Sequence, residues 1–303
     1  MENIVRTNYL TKCYGTYKAV DNVSITIKKG DIYGLVGRNG AGKTTLIRLL
    51  TGLIVKTRGS FELYGISDKQ EINSVKCKMG AVVETPSLHF SMTAFENLME
   101  QFIVLGLTNQ NKIYDLLKLV GLSDVGNKKV SNYSLGMKQR LGIAMALISD
   151  PDFLILDEPT NGLDPQGIIE VRELLIKLNK ELNMTILISS HILSELSKLA
   201  TCYGFIEQGK LLKEISAAEI HAQCKKSTRV VVNTTKNVKE IIENELNIKN
   251  YKIWSETLIE FYEDFDIGEL SIAFKKGNIS IDNIIKNESD LENYYINLVG
   301  GAK

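Results

Sequence analysis

The sequence predicts an α/β fold up to about residue 220, with a mostly parallel core sheet between helices. Strand-like and helix-like stretches alternate along this region, which is the order that a parallel sheet requires. Residues 19–27 alternate apolar and polar side chains, as a half-buried antiparallel strand does. Residues 32–36 form a short apolar run suited to a buried strand. We therefore expect a small antiparallel β layer followed by an α/β core.

A helical subdomain is predicted as an insertion in this core, over about residues 85–150. Its clearest part begins at Thr93, which forms a capping box with Glu96, and runs to about Leu122. Four apolar side chains recur there at helical spacing and are expected to share one face: Phe95, Leu98, Met99 and Phe102.

A second, smaller α/β domain is predicted for residues 225–303, after a first domain of residues 1–224. Residues 225–228 suggest a hinge between the two. Strand-like stretches at 228–233, 251–254, 258–262 and 279–285 alternate with helix-like stretches at 238–246 and 267–275, before a last helix. Its role stays open among a ligand sensor, a dimer brace and a docking module.

Composition and charge exclude several classes of function. The 36 Lys and Arg residues balance 36 Asp and Glu residues, so no net charge attracts nucleic acid or anionic lipid. Residues 1–10 lack the apolar core of a signal peptide, and no apolar stretch is long enough to span a bilayer. We expect a cytoplasmic protein without a membrane span, whose membrane role would come through a partner. Four widely spaced cysteines are expected to be reduced structural thiols: Cys13, Cys77, Cys202 and Cys224.

The strongest local signal is a phosphate-binding loop, Gly37-Arg38-Asn39-Gly40-Ala41-Gly42-Lys43-Thr44, between a predicted strand and a helix from Thr45. The glycines let backbone N–H groups surround the β- and γ-phosphates, and the helix beginning near Thr45 presents its positive end. Lys43 adds a charge, and the Thr44 hydroxyl can bind Mg²⁺. A glycine-rich structural turn is the weaker alternative.

Two adjacent acids, Asp157 and Glu158, end a second apolar strand, where ligands bind in open α/β sheets. Asp157 is suited to hold Mg²⁺, and Glu158 to orient and polarise an attacking water molecule. A solvated strand end would also explain such a pair. Its combination with the phosphate loop favours a hydrolytic site.

Upstream of this strand, Tyr133-Ser134-Leu135-Gly136-Met137 opens a predicted helix. With the two motifs above, it makes the first 220 residues resemble the P-loop NTPase cassette of ABC transporters. In that family the signature Leu-Ser-Gly-Gly-Gln binds the γ-phosphate of ATP held by the opposite subunit. Ser134 and Gly136 match it, whereas the other three residues depart. A plain helix N-cap is the alternative for Ser134.

The resemblance implies further nucleotide contacts. Tyr14 would stack on the adenine ring, with Tyr17 as the alternative. Asp164 lies in the loop that contacts the partner subunit in the family, although alone it is typical of a turn. His191 matches the switch histidine near the γ-phosphate. The other two histidines, His89 and His221, are expected to be ordinary loop and helix-surface residues.

Glu84 departs from the family, most members of which carry Gln at this junction. Glutamate offers an oxygen to Mg²⁺ and to the attacking water, with a full charge and no amide donor. A surface acid before a proline turn is the alternative. Together with the degenerate signature and the ending at residues 291–301, Glu84 makes the chain resemble the bacitracin and lantibiotic self-protection exporters.

The resemblance implies an ATP-hydrolysing subunit that powers a separate permease for antimicrobial peptides. The alternative is an ATPase subunit of an exporter or importer for another substrate. Because the phosphate loop and the signature lie on different faces, two copies must pair around two ATP molecules. The helices of residues 84–121 are the expected docking surface for the permease.

Overall fold

The structure, a computed structural model, describes residues 2–67, 69–223, 227–236, 238–287 and 291–300. Contacts divide the chain into two compact units, Met1–Ala217 and Ala218–Lys303. The boundary predicted between residues 224 and 225 lies outside the described residues and stays a prediction. Of the predicted hinge, residues 225 and 226 also lie outside them, whereas Ser227 and Thr228 begin a strand.

Besides three short 3-10 helices at Lys76–Lys78, Ser123–Val125 and Val130–Asn132, the first unit contains ten strands and seven α-helices within its described residues. In chain order they are β1 (Asn3–Tyr14), β2 (Tyr17–Val23), β3 (Thr26–Lys28), β4 (Ile32–Val36), α1 (Lys43–Thr51), β5 (Arg58–Leu63), α2 (Lys69–Val75), β6 (Met79–Val82), α3 (Ala94–Val104), α4 (Asn111–Leu119), α5 (Leu135–Ala146), β7 (Phe153–Asp157), α6 (Pro165–Leu182), β8 (Thr185–Ser190), α7 (Leu193–Leu196), β9 (Cys202–Glu207) and β10 (Lys210–Ser216).

The core sheet of this unit has six strands in the order β10-β9-β4-β8-β7-β6. All neighbouring pairs are parallel except β10 with β9, which is antiparallel. Every residue of β4, β7 and β8 is buried, as expected for strands covered on both faces. The predicted mostly parallel core sheet is confirmed. It brings the ends of β4, β7 and β8 to one edge.

The antiparallel layer is also confirmed, because β1 pairs with β2, β3 and β5. The single strand predicted over residues 19–27 is wrong, since the chain forms β2 and β3 with a break between them. Thr7 of β1 occupies this break: its hydroxyl donates to Val23 O at 3.0 Å and accepts from Ile25 N–H at 2.8 Å. A side chain from another strand thus replaces a ladder hydrogen bond.

Helices α3, α4 and α5 lie between β6 and β7, in the region predicted to form a helical subdomain. The capping box is confirmed, because the Thr93 hydroxyl accepts from Glu96 N–H and the Glu96 carboxylate accepts from Thr93 N–H. This hydrogen bond from the Thr93 backbone lowers the pKa of Glu96. The predicted helix is confirmed and places its four apolar side chains along one side, with Leu98 and Phe102 buried and Phe95 and Met99 half-buried. Asn97 is buried as well, where its amide hydrogen-bonds the backbone of His89.

The second unit contains α8 (Ala217–Gln223), β11 (Ser227–Val232), α9 (Val238–Glu240) with a π-helical turn at Ile241–Glu245, β12 (Tyr251–Ser255), β13 (Leu258–Phe261), α10 (Ile267–Lys276), β14 (Ile281–Asn287) and α11 (Leu291–Gly300). Its four strands pair antiparallel in the order β12-β13-β11-β14. It has its own core, centred on Val230, Ile259, Phe261 and Phe274. The predicted strands and helices are present here with shifts of a few residues at their ends.

Candidate functional site

The loop Gly37–Thr44 connects the end of β4 to the start of α1, which confirms the predicted strand, loop and helix order. Gly42 caps the helix at φ 107°, a conformation that side chains rarely adopt. A Cβ at Gly42 would lie 2.4 Å from Ala19 O of β2. The loop therefore needs glycine here to pass against β2. Arg38, Asn39 and Gly40 form its exposed crest, whereas Ala41 is buried.

Lys43 is buried in the first turn of α1 and faces back into the loop. Its Nζ donates to Gly37 O at 2.7 Å and to Arg38 O at 3.2 Å. The same ammonium forms an ion pair with Glu158 Oε1 at 3.0 Å. Thr44 and Thr45 follow in the same turn and are half-buried. A cation and an acid thus meet at the mouth of the phosphate-binding loop.

Glu158 lies just after β7 and joins two elements of the site. Its Oε1 pairs with Lys43, and its Oε2 lies 2.8 Å from Nδ1 of His191, which follows β8. Its backbone is in the left-handed region at φ 50°, which is uncommon for a residue other than glycine. The structure therefore brings together Lys43, Glu158 and His191, although they are far apart in the sequence.

Asp157 ends β7 and is buried, with 2% of its surface exposed. Its Oδ1 accepts a hydrogen bond from the Ser189 hydroxyl at 2.6 Å. Ser189 lies opposite Asp157 in the parallel ladder of β7 and β8. The carboxylate is thus held at the edge of the sheet beside Glu158.

Glu84 follows β6 and, like Glu158, has a left-handed backbone, at φ 62°. Its Oε1 forms an ion pair with Nη2 of Arg48 in the last turn of α1, at 2.5 Å. The side chain of Glu84 is 57% exposed, so a surface acid is a fair description of it here. The ion pair nevertheless ties this junction to the helix that follows the phosphate loop.

Ser134 and Asp164 are both helix N-caps. The Ser134 hydroxyl accepts from Met137 N–H at the start of α5, and Asp164 Oδ1 accepts from Gly167 N–H at the start of α6. A Cβ built on Gly136 would lie 3.6 Å from Gly167 Cα, so these two helix starts pack closely. Among the described residues, no hydrogen bond or ion pair joins Ser134 or Gly136 to the phosphate loop.

Tyr14 and Tyr17 face each other directly in the hairpin of β1 and β2. Directly paired residues of an antiparallel ladder point to the same face, so the two rings share one side of the hairpin. Both are exposed, and the ammonium of Lys12 lies 4.9 Å from the centre of the Tyr14 ring. The choice between them stays open.

His89 is exposed and lies near the Glu100 carboxylate, outside this site, whereas His221 lies in α8. Cys13, Cys77 and Cys202 are free thiols, and Cys224 lies outside the described residues. Burial raises the pKa of the Cys202 thiol to about 11, which disfavours the reactive thiolate at neutral pH.

Sequence reasoning missed Ser189 and Arg48. The signal for Ser189 was a pair of polar residues at the end of an otherwise apolar strand, directly before His191. The signal for Arg48 was a cation in the last turn of the helix that follows the phosphate loop. Neither signal identifies the contacted residue, because each contact joins residues of two different secondary-structure elements.

Within the part of the chain that the structure describes, no helix is both long enough and apolar enough to cross a membrane. A family profile described as ABC transporter matches residues 20–161. The match contains the phosphate loop, the acidic pair and the start of α5.

Two relatives are similar over most of their length. A bacitracin transport ATP-binding protein of Bacillus licheniformis is 42% identical over 100% of this chain and 99% of its own. A lantibiotic transport ATP-binding protein of Streptococcus pyogenes is 44% identical over 70% of this chain and 90% of its own. The first similarity includes the second compact unit.

Among solved structures, the chain is similar to a dimeric post-hydrolysis state of an ATP-binding cassette bound to ADP and phosphate. The TM-score is 0.63 at 25% identity, over 70% of this chain and 98% of that one. A cassette of an ABC transporter in its ADP conformation gives a TM-score of 0.66, also at 25% identity, over 72% of this chain and 93% of that one.

Proposed function

This chain belongs to the ATP-binding proteins of ABC transporters and is an ATP hydrolase, and we propose that it powers a separate permease that exports antimicrobial peptides of the bacitracin or lantibiotic type. The end-to-end similarity to a bacitracin transport ATP-binding protein carries this proposal. It covers the second compact unit, which a shared cassette alone would not explain. The chain would work at the inner face of the membrane, bound to the permease.

For the chemistry, the contact of Lys43 and His191 with Glu158 is the central observation. We assign Glu158 the role of orienting and polarising the attacking water, because His191 holds one of its oxygens in place. Lys43 would exchange its ion pair with Glu158 for the β- and γ-phosphates when ATP enters. That exchange would release the carboxylate for water at the moment when substrate is present.

Mg²⁺ suits the oxygen donors at this edge of the sheet. The buried carboxylate of Asp157 and the hydroxyl of Thr44 are hard oxygen ligands of the kind that Mg²⁺ takes together with phosphate oxygens. We propose these two as its protein ligands, with Glu84 as a candidate reached only if its ion pair with Arg48 opens. The metal would neutralise charge on the transferring phosphate.

A second copy of the chain would complete each site. Helix α5 begins at Ser134, so its first N–H groups form an anion-binding end. The similar cassette structure with ADP and phosphate is a dimer, which supports two such ends facing two phosphate loops. Asp164 caps the start of α6, and this helix start packs on the start of α5. A partner subunit that contacts the loop of Asp164 would therefore also lie close to the signature residues Ser134 and Gly136.

The proposed chemistry is tested with the purified chain at saturating MgATP. Glu158→Gln is expected to lower kcat by at least about 100-fold while it keeps ATP binding, because a positioned base contributes roughly 10²- to 10⁴-fold. Lys43→Ala is expected to weaken nucleotide binding itself. Glu173→Gln, an exposed acid on α6, serves as the matched control and should behave as wild type. Full turnover by Glu158→Gln would overturn the role assigned to Glu158.

A further inference from the structure

The hydroxyl of Ser189 contacts both acids of the site at once. It donates to Asp157 Oδ1 at 2.6 Å and accepts from the backbone N–H of Glu158 at 2.9 Å. Ser189 lies in β8 and is fully buried, with 0% of its surface exposed. No water can therefore take over either contact without opening the sheet.

The polarity of these two hydrogen bonds is fixed. A backbone N–H can only donate, and an ionised carboxylate can only accept. The hydroxyl hydrogen of Ser189 must therefore point to Asp157, and an oxygen lone pair must point to Glu158. The neighbour of Ser189 on its other side is Leu35 of β4, which is apolar and buried. The arrangement has one orientation, and it is set by the register of the sheet.

The hydrogen bond from Glu158 N–H to Ser189 is made by a residue with an unusual backbone conformation. A left-handed φ of 50° is costly for a residue with a Cβ, and it persists where surrounding contacts hold it. Lys43 and His191 bind the carboxylate of Glu158, whereas Ser189 binds its main chain. At this turn the Glu158 carboxylate reaches Lys43, near the end of the phosphate loop.

We propose that Ser189 is a positioning residue for ATP hydrolysis, which sets the orientation of the Asp157 carboxylate and the backbone turn at Glu158 through one hydroxyl. The proposal rests on the roles proposed above for these two acids. A group that orients a metal ligand or a catalytic acid from behind typically contributes about 10- to 100-fold to activity or metal affinity. Ser189 acts on both, so its loss should affect turnover and Mg²⁺ dependence together.

The test uses the full chain and four variants at the two ends of β8. Ser189→Ala removes the hydroxyl, Ser189→Thr keeps it, and Ser189→Cys replaces it with a weakly bonding thiol of similar shape. Thr185→Val is the matched control, because Thr185 is also fully buried in β8 and its hydroxyl accepts from Gly30 N–H at 3.0 Å, at the opposite end of the strand.

Three quantities are measured: kcat and KM for ATP, the Mg²⁺ concentration for half-maximal activity, and the gain in binding of a fluorescent ATP analogue when Mg²⁺ is added. Ser189→Ala is expected to lower kcat by about 10- to 100-fold, to raise the half-maximal Mg²⁺ concentration and to reduce the gain in binding. Binding of the analogue without Mg²⁺ should stay as in wild type. Ser189→Thr should restore most of the activity, and Thr185→Val should resemble wild type.

Equal kcat and Mg²⁺ dependence in wild type and Ser189→Ala would overturn the proposal, and so would an equal loss in Thr185→Val. If Ser189→Ala does not fold, Ser189→Cys decides: a loss supports the proposal and full activity overturns it. Glu158→Gln is run in parallel. If that variant turns over normally, the role of Glu158 fails, whereas a normal Ser189→Ala beside an inactive Glu158→Gln refutes the positioning role alone.

Discussion

At the scale of single residues, Glu84 combines a left-handed backbone with an exposed ion pair to Arg48. An exposed ion pair contributes at most about 1 kcal/mol, so either member can leave it at small cost when a ligand arrives. Glu84 lies between β6 and the helical subdomain, where movements of the two would be coupled. We propose that its carboxylate, once free of Arg48, binds Mg²⁺ more strongly than an amide would.

We predict that Glu84→Ala keeps substantial ATPase activity in the isolated subunit but loses most of the protection given by the assembled transporter. Glu84→Gln should be milder, because the oxygen and the side-chain length remain. Arg48→Gln removes only the partner of Glu84 and should preserve protection. ATP hydrolysis by purified protein and the inhibitory concentration for cells are measured for the same set. Undiminished protection in Glu84→Ala would contradict the coupling role.

The site residues that the sequence predicted most directly are those that lie together in one short segment. Lys43 and Thr44 follow from a loop of eight residues, and Asp157 and Glu158 from the end of one strand. Ser189 did not follow, because its two hydrogen bonds depend on the register between β7 and β8. A single sequence does not state which residues of two strands stand opposite each other.

At the scale of elements, Glu214 of β10 links the core sheet of the first unit to the antiparallel layer, through Thr26 of β3. The Tyr33 hydroxyl donates to Glu214 Oε1 at 2.9 Å, and the same oxygen accepts from Thr26 N–H of β3 at 2.9 Å. Burial raises the pKa of the Glu214 carboxyl, and burial followed by this carboxylate raises that of Tyr33. The pKa of Glu214 is thus higher in the folded chain than in the unfolded chain.

This difference predicts a dependence of stability on pH. The favourable contribution of Glu214 is complete below its pKa in the unfolded chain and is lost as the pH rises through the raised pKa of the folded state. Glu214→Gln keeps an acceptor oxygen and removes the ionisation, so we expect it to melt above wild type at pH 7.5. The difference should shrink towards pH 4. Thermal unfolding at both values checks this, and an equal difference at both would contradict it.

Helix α5 packs against the segment after Glu84. A Cβ on Gly142 would lie 2.4 Å from Cγ of Pro86, so Gly142→Ala should cost about 1 to 3 kcal/mol of stability and lower the melting temperature. Gly136→Ala, on the same helix, adds its methyl at an ordinary contact distance and should leave the melting temperature unchanged or higher. Its ATPase activity should nevertheless fall if Gly136 binds phosphate. Equal melting temperatures of the two variants would contradict the close contact between Gly142 and Pro86.

Elements with strong periodicity or caps were predictable, including β4, the start of α3 and most of the second unit. The break between β2 and β3 was not, because the alternation of apolar residues continues across it. The hydrogen bonds at the break come from the hydroxyl of Thr7, which lies in another strand. The buried amide of Asn97 likewise hydrogen-bonds the backbone of His89, outside its own helix.

At the scale of the whole molecule, the two compact units have separate apolar cores. Every nucleotide motif lies in the first, at or before His191. We therefore predict that deletion of residues 225–303 leaves a folded chain that binds ATP. A fluorescent ATP analogue and circular dichroism measure this, with Lys43→Ala in the same truncated chain as the control. A truncated chain that is insoluble or does not bind nucleotide would show that the units depend on each other.

We propose that ATP hydrolysis by this chain powers protection against antimicrobial peptides. The most direct measurement is the inhibitory concentration of bacitracin and of a nisin-like lantibiotic for cells that carry this subunit with its own permease, as wild type or as Glu158→Gln at equal expression. We predict that wild type raises the inhibitory concentration of at least one of the two peptides several-fold and that Glu158→Gln does not. Equal values for the two strains, or no protection by wild type against either peptide, would contradict the claim.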